Sequence, residues 1–191
     1  MISAPLSVTD ALDSHRPGDD RERADVGRLR ALLASADDPW HRSLPLHVTA
    51  SAVILDPAGG RFLLRWHKRH GSWLLVGGHG DPGESDPLGV ALREGLEETG
   101  LGDLAPWPWA RLAHVVVVPV PAAGDEPAHE HADLRFVLAT GTPEGIRPEH
   151  PGAELRWLAP DEADGLVAEE NVRETLSRVR PLLNGRPVSR T

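Results

Sequence analysis

The sequence predicts an α/β fold: a mixed sheet sandwiched by helices, with an N-terminal helical extension. Three observations carry this. A run beginning at His47 alternates with period two, residues 86–100 carry local start and stop signals around a helical apolar stripe, and Val172, Leu176, Val179 and Leu183 recur at helical spacing.

Residues 1–20 read as a loosely ordered lead-in around at most one short helix, because residues 14–25 are polar and carry Pro17, Gly18 and a mixed charge run. Residues 21–36 then place Val26, Leu29, Leu32 and Leu33 on one helical stripe that the cluster Asp37, Asp38, Pro39 ends. A structural role suits this helix. From His47, Val48, Ala50, Ala52 and Ile54 alternate with Thr49, Ser51 and Val53, and the turn residues 56–60 lead into a second strand over 61–66, so a hairpin is expected. Residues 73–76 form a short strand stopped by Gly77 and Gly78. The apolar runs 113–120 and 134–140 read as strands across a polar loop, 154–158 as the last strand, and Pro160 opens the closing helical stretch. Strands on both sides of one strong helix require a two-faced sheet. The division expected is 1–42 for the extension, 43–184 for the domain and 185–191 for a tail.

Composition narrows the chemistry. With 191 residues, 40% hydrophobic and 26% charged, the chain has enough apolar content for one core and neither a disordered nor a membrane composition. It contains no cysteine, which excludes disulfides, thiolate zinc sites and cysteine nucleophiles. Carboxylates, imidazoles and hydroxyls must carry the chemistry. The formal charge of -9 repels a phosphate backbone, so neither nucleic acid nor a membrane is an expected partner, whereas a small phosphorylated molecule can bind where divalent cations bridge it to the acids. Residues 1–10 lack the basic and apolar regions of a signal peptide and no apolar run approaches the ~20 residues of a membrane span, so a cytoplasmic protein is expected.

The informative segment is GGHGDPGESDPLGVALREGLEETGL, residues 77–101. Asp86 suits a helix N-cap, Pro87 its first turn and Gly100 its C-terminal stop, so a helix is expected over 87–99. Leu88, Ala91, Leu92, Gly95, Leu96 and Thr99 would form its buried face. Glu94, Glu97 and Glu98 fall on the other side at i, i+3 and i+4, within reach of a common point. Such a run is often no more than a solvated acidic face. Beside it, however, Gly77, Gly78, Gly80 and Gly83 give the backbone freedom for close approach, and Mg²⁺ or Mn²⁺ takes clustered carboxylate oxygens of this kind.

This segment resembles the Nudix box of Nudix hydrolases, G-x5-E-x7-R-E-U-x-E-E-x-G-U, where U is a bulky aliphatic residue. Arg93, Glu94, Glu97, Glu98, Gly100 and Leu101 match its second half, and Gly78 and Glu84 match its first. Two departures stand out. Eight residues separate Glu84 from Arg93 instead of seven, and Gly95 replaces the aliphatic residue, at about 0.5–1 kcal/mol of helix stability relative to Ala. The resemblance implies a Nudix-type α/β/α sandwich and metal-dependent hydrolysis of a nucleoside diphosphate linked to another moiety. It assigns Glu94, Glu97, Glu98 and Arg93 as catalytic, with Glu84 joining the three glutamates as a ligand of Mg²⁺ or Mn²⁺. Glu94 is then one candidate general base, and Arg93 orients the glutamates. The alternative is a non-catalytic Nudix module that senses a nucleotide or ADP-ribose, disfavoured by the intact glutamates. An isoprenoid diphosphate isomerase would need a cysteine. Gly78, Gly80 and Gly83 also spell G-x-G-x-x-G, a dinucleotide-binding turn, but Pro82 interrupts it and no βαβ repeat follows.

Arg65, Trp66, Gly78 and His79 are the substrate-binding candidates, through phosphate contact or base stacking, although Trp66 and Trp73 are of a kind more often found in a core than on a stacking platform. Glu130, His131 and Asp133 are auxiliary candidates for an extra ligand or base, and an extended chain would put His129, His131 and Asp133 on one face as a zinc-like set. The expected partner is a small nucleotide or nucleoside-diphosphate derivative. Oligomeric state stays open, a homodimer included.

Overall fold

The computed structural model describes residues 5–184. Eight strands, β1 (Leu46–Asp56), β2 (Arg61–His67), β3 (Ser72–Leu74), β4 (Val76–His79), β5 (Ala105–Pro106), β6 (Leu112–Val120), β7 (His129–Ala139) and β8 (Glu154–Leu158), form one mixed sheet. Five α-helices pack around it: α1 (Val8–Ser14), α2 (Asp20–Ser35), α3 (Pro87–Thr99), α4 (Pro160–Leu166) and α5 (Glu170–Val179). The order β3-β2-β1-β7-β5 is the spine, with β4 on β1, β6 on β7 and β8 on β2. β1 and β7 run parallel from Leu46–Glu130 to Leu55–Ala139, and every other pairing is antiparallel.

β1 is buried on both faces, as its near-continuous apolar character requires. Val48, Ala50, Ala52 and Ile54 join one core with α1, α2 and α3, while Val53 and Leu55 join a second with α4 and α5. The N-terminal extension is integral to the first core: Val8, Ala11, Leu12, Val26 and Leu29 are buried within it. It also finishes an open strand. β6 pairs only with β7, and its outward N–H groups at Val115 and Val117 donate to Glu22 Oε1 (2.9 Å) and Asp25 Oδ2 (3.0 Å) of α2.

α3 has the expected ends. Asp86 accepts from the Leu88 and Gly89 N–H groups at 3.0 Å, and Gly100 closes the helix at φ 70°. Its rotation differs from the apolar pattern. Val90 and Glu98 are buried, Leu88 and Leu92 only partly, and Leu96 stays 50% exposed. The packed stripe keeps Ala91, Gly95 and Thr99 as expected and adds Pro87, Val90 and Glu98, whose carboxylate meets Arg65 of β2. The strand expected over 73–76 is two, β3 and β4, and β7 begins five residues earlier than expected because its first half pairs with β1. The tail expected over 185–191 lies outside the described residues. No helix among the described residues is long and apolar enough to cross a membrane.

Candidate active site

The site forms where α3 lies against β4. Antiparallel pairing sets Gly77 opposite Ser51 and Gly78 opposite Ala50. A Cβ on Gly78 would stand 2.7 Å from Glu94 Oε1, and one on Gly77, at φ 155°, would stand 2.5 Å from the Ala50 carbonyl. The glycines therefore admit the helix carboxylates to the strand itself.

Glu94 and Glu97 meet as their spacing predicts, and the point where they meet is a guanidinium. Arg93 Nη1 donates to Glu94 Oε1 and Glu97 Oε2, both at 2.9 Å. The rest of Arg93 goes to Glu84 (Nε to Oε1 3.1 Å, Nη2 to Oε2 2.9 Å) and the His79 carbonyl (2.9 Å). The eight-residue spacing thus leaves Glu84 inside the constellation, but as the partner of Arg93: Glu84 Oε2 also accepts from the Asp81 N–H at 2.8 Å. Both its oxygens are hydrogen-bonded within the constellation. Arg93 holds the Glu84 carboxyl below the usual carboxylate range.

Glu98 departs from the other two. Its Oε1 pairs with Arg65 of β2 and its Oε2 accepts from the Gly77 N–H at 3.3 Å. Burial pushes its carboxyl up to about 7, the Arg65 charge opposing. Burial also raises Glu94, against the pull of Arg93. The three acids are therefore not one exposed face, as the sequence suggested. Glu94 and Glu97 each give Arg93 one oxygen, leaving Oε2 of Glu94 and Oε1 of Glu97 as acceptors without a hydrogen bond among the described residues.

A cavity of about 520 Å³ opens on the far side of Gly77 and Gly78. Of the expected site residues, Arg65, Gly78, His79, His131 and Asp133 line it, whereas Glu84, Arg93, Glu94, Glu97, Glu98, Trp66 and Glu130 do not. Arg65 connects the two regions, and its Nε is buried without a hydrogen-bond partner among the described residues. Trp66 faces the second core, edge-on to Trp73 at 5.5 Å between ring centres, so a base-stacking role there is not supported. Glu130 stands outside the cavity lining and pairs with Arg28 of α2. Asp133 is buried and accepts from Thr49, Ser51 and Arg135 (2.8–3.1 Å), so it does not complete a zinc-like set with His129 and His131. Arg135, buried and bonded to Asn171 and Thr175 of α5, fixes that carboxylate in place.

Two residues of this region were not singled out from sequence. His47 stands directly opposite His131 in the parallel β1–β7 register. Trp40 covers Gly80, where a Cβ would lie 2.8 Å from its ring. Only the period-two alternation from His47 hinted at the first.

The NUDIX domain family model matches residues 45–181. No individual curated protein matches the chain. Among solved structures, an Ap4A hydrolase binary complex from C. elegans is 22% identical, with a TM-score of 0.56 over 73% of this chain and 98% of its own. The dihydroneopterin triphosphate pyrophosphohydrolase of E. coli is 21% identical, with a TM-score of 0.54 over 74% and 97%. A Nudix hydrolase from M. smegmatis, RenU, is 24% identical, with a TM-score of 0.53 over 76% and 90%. At these identities the likeness concerns the fold.

Proposed function

The chain belongs to the Nudix hydrolase family, and from that premise we propose that it is a divalent-metal-dependent pyrophosphohydrolase acting on a nucleoside diphosphate linked to another moiety. One observation carries the reading: Glu94 and Glu97 converge through Arg93 on α3, with Glu98 one turn on, all packed beneath a two-glycine strand.

Nudix hydrolases need divalent metal ions, and the donor set suits a hard cation. It is made of carboxylate oxygens, Glu94 and Glu97 each keep one oxygen free of hydrogen bonds, and Glu94 and Glu98 are carboxyls that burial makes reluctant to ionise. Glu94, Glu97 and Glu98 would hold Mg²⁺ or Mn²⁺. When bound, such an ion neutralises diphosphate oxygens and makes a water more acidic. The chain's own groups supply the rest. Glu94, raised above the usual carboxylate range, is the group suited to take a proton from the attacking water. Arg93, anchored by Glu84 and the His79 carbonyl, orients Glu94 and Glu97. Arg65 is the cation of the cavity wall nearest this chemistry, and its unpartnered Nε suits a phosphoryl oxygen.

The test is incubation with a panel of nucleoside diphosphates joined to different groups, with Mg²⁺, and detection of orthophosphate after phosphatase coupling. Turnover of a member is expected. Binding without turnover across the panel would favour a sensing module instead.

A further inference from the structure

Four histidines close one end of the sheet. His47 on β1, His79 on β4 and His131 on β7 project from adjacent strands, and His129 stands two residues before His131. The ring centres of His47 lie 4.9–5.2 Å from those of the other three. One nitrogen from each of His47, His79 and His131 falls within 4.8 Å of the others. His47 Nε2 is 3.1 Å from His79 Nε2, and His129 Nε2 is 3.1 Å from His131 Nε2.

The tautomers follow from the acceptors outside the cluster. Nδ1 of His47 meets the Leu44 carbonyl at 3.0 Å and Nδ1 of His129 meets the Pro127 carbonyl at 2.9 Å. A carbonyl only accepts, so both Nδ1 atoms carry hydrogen and both Nε2 atoms turn a bare lone pair inward. A backbone carbonyl fixing the outer nitrogen is the arrangement that orients a metal-ligating imidazole. Burial also favours neutral rings at His47, His79 and His131, with His79 pushed down to about 3 and His131 to about 4, and a neutral ring is what a cation needs.

We infer that this cluster is a binding site for a borderline divalent cation of the Zn²⁺ class, held by Nε2 of His47, His79 and His131 with a fourth position open to water. It is separate from the carboxylates of α3 and does not rest on the hydrolase reading. Tetrahedral zinc with bonds of about 2.0–2.1 Å sets its nitrogens roughly 3.3 Å apart, close to the 3.1 Å contact of His47 and His79, and the His131 nitrogen, within 4.8 Å of both, draws in on binding. Binding requires His79 and His131 to carry their hydrogen on Nδ1, a shift within each ring that releases no proton. All-imidazole donors discriminate against Mg²⁺, which takes oxygen ligands.

The experiment is titration of chelator-treated full-length protein with Co²⁺, reading the visible absorption of tetrahedral cobalt, together with zinc content by mass spectrometry and imidazole ¹⁵N shifts of the wild type. The expected result is saturation at one equivalent, shifts at His47, His79 and His131, and affinity lowered on the order of 10²-fold by His131→Gln. Glu97→Gln and the double variant His67→Gln, His70→Gln, which alters a second close histidine pair, should keep the signal. If His131→Gln fails to fold, the wild-type shifts answer alone. No tetrahedral signal at one equivalent, shifts confined to other histidines, or loss of the signal in Glu97→Gln would overturn the assignment.

Discussion

Arg93 grips both oxygens of Glu84, Nε at 3.1 and 3.2 Å and Nη2 at 2.9 Å, across nine positions of sequence and the whole turn that precedes α3. With Glu84 holding one side of the guanidinium, the other side is aimed at Glu94 and Glu97. That arrangement suits Glu84 to a positioning role. Glu84→Gln should lower kcat by about 10-fold while leaving the Mg²⁺ concentration for half-maximal rate unchanged. A large rise in that concentration would make Glu84 a metal ligand after all.

Glu98 makes a prediction about pH. Its folded carboxyl titrates at about 7, above the ordinary 4.5, so the stability it contributes is complete below pH 4.5 and lost as pH rises through 7. Metal-free protein should therefore lose about 1 kcal/mol between pH 6.5 and 8, and Glu98→Gln should flatten that slope in urea titrations. Parallel slopes in the two proteins would contradict the burial argument.

His114 gives the opposite sign. It is buried, its Nδ1 sits 2.8 Å from Thr175 Oγ1, and burial, with Arg178 and Arg135 nearby, depresses it to about 4. A depressed group contributes stability that is present above 6.5 and lost as pH falls through 4. His114→Gln should remove on the order of 3 kcal/mol of the wild type's acid-induced loss, measured as the difference in unfolding free energy between pH 7 and pH 4.

Glu22 ties the extension to the domain. It is buried and accepts from the Val115 and Gly18 N–H groups, from His15 and from Arg178 of α5; although burial pushes its carboxyl up, these bonds hold it at about 2. Glu22→Ala should destabilise the whole protein by about 3 kcal/mol in one cooperative transition, since it leaves the Val115 and Gly18 N–H donors unpaired and takes from Arg178 one of its three carboxylate partners. A separate early transition would show that the extension folds independently.

The sequence made α3 legible because its signals are local. Asp86, Pro87 and Gly100 each act within one turn, and the helix begins and ends where they place it. Its rotation was not legible, since apolar spacing favours burying Leu96. The observed choice depends on Arg65, which faces Glu98 from a strand more than thirty residues away. The imidazole cluster was half legible for a similar reason. His129 and His131 alternate on one strand, but His47 joins them only through parallel pairing, and Asp133 leaves the set because Ser51 and Thr49 of the same neighbour capture it. Trp66 followed its strand's alternation into the core, the bland option for an aromatic residue in a hairpin.

The carboxylates of α3 are the centre of the account, and Glu97 tests them most directly, being exposed enough to change without disturbing the core. Turnover by Glu97→Gln should be measured with Mg²⁺ on the panel member the wild type hydrolyses best, beside a thermal melt. A fall of ~10² or more in kcat with an unchanged melting temperature is expected. Near-normal turnover would contradict it, and a collapsed melt would make the glutamate architectural.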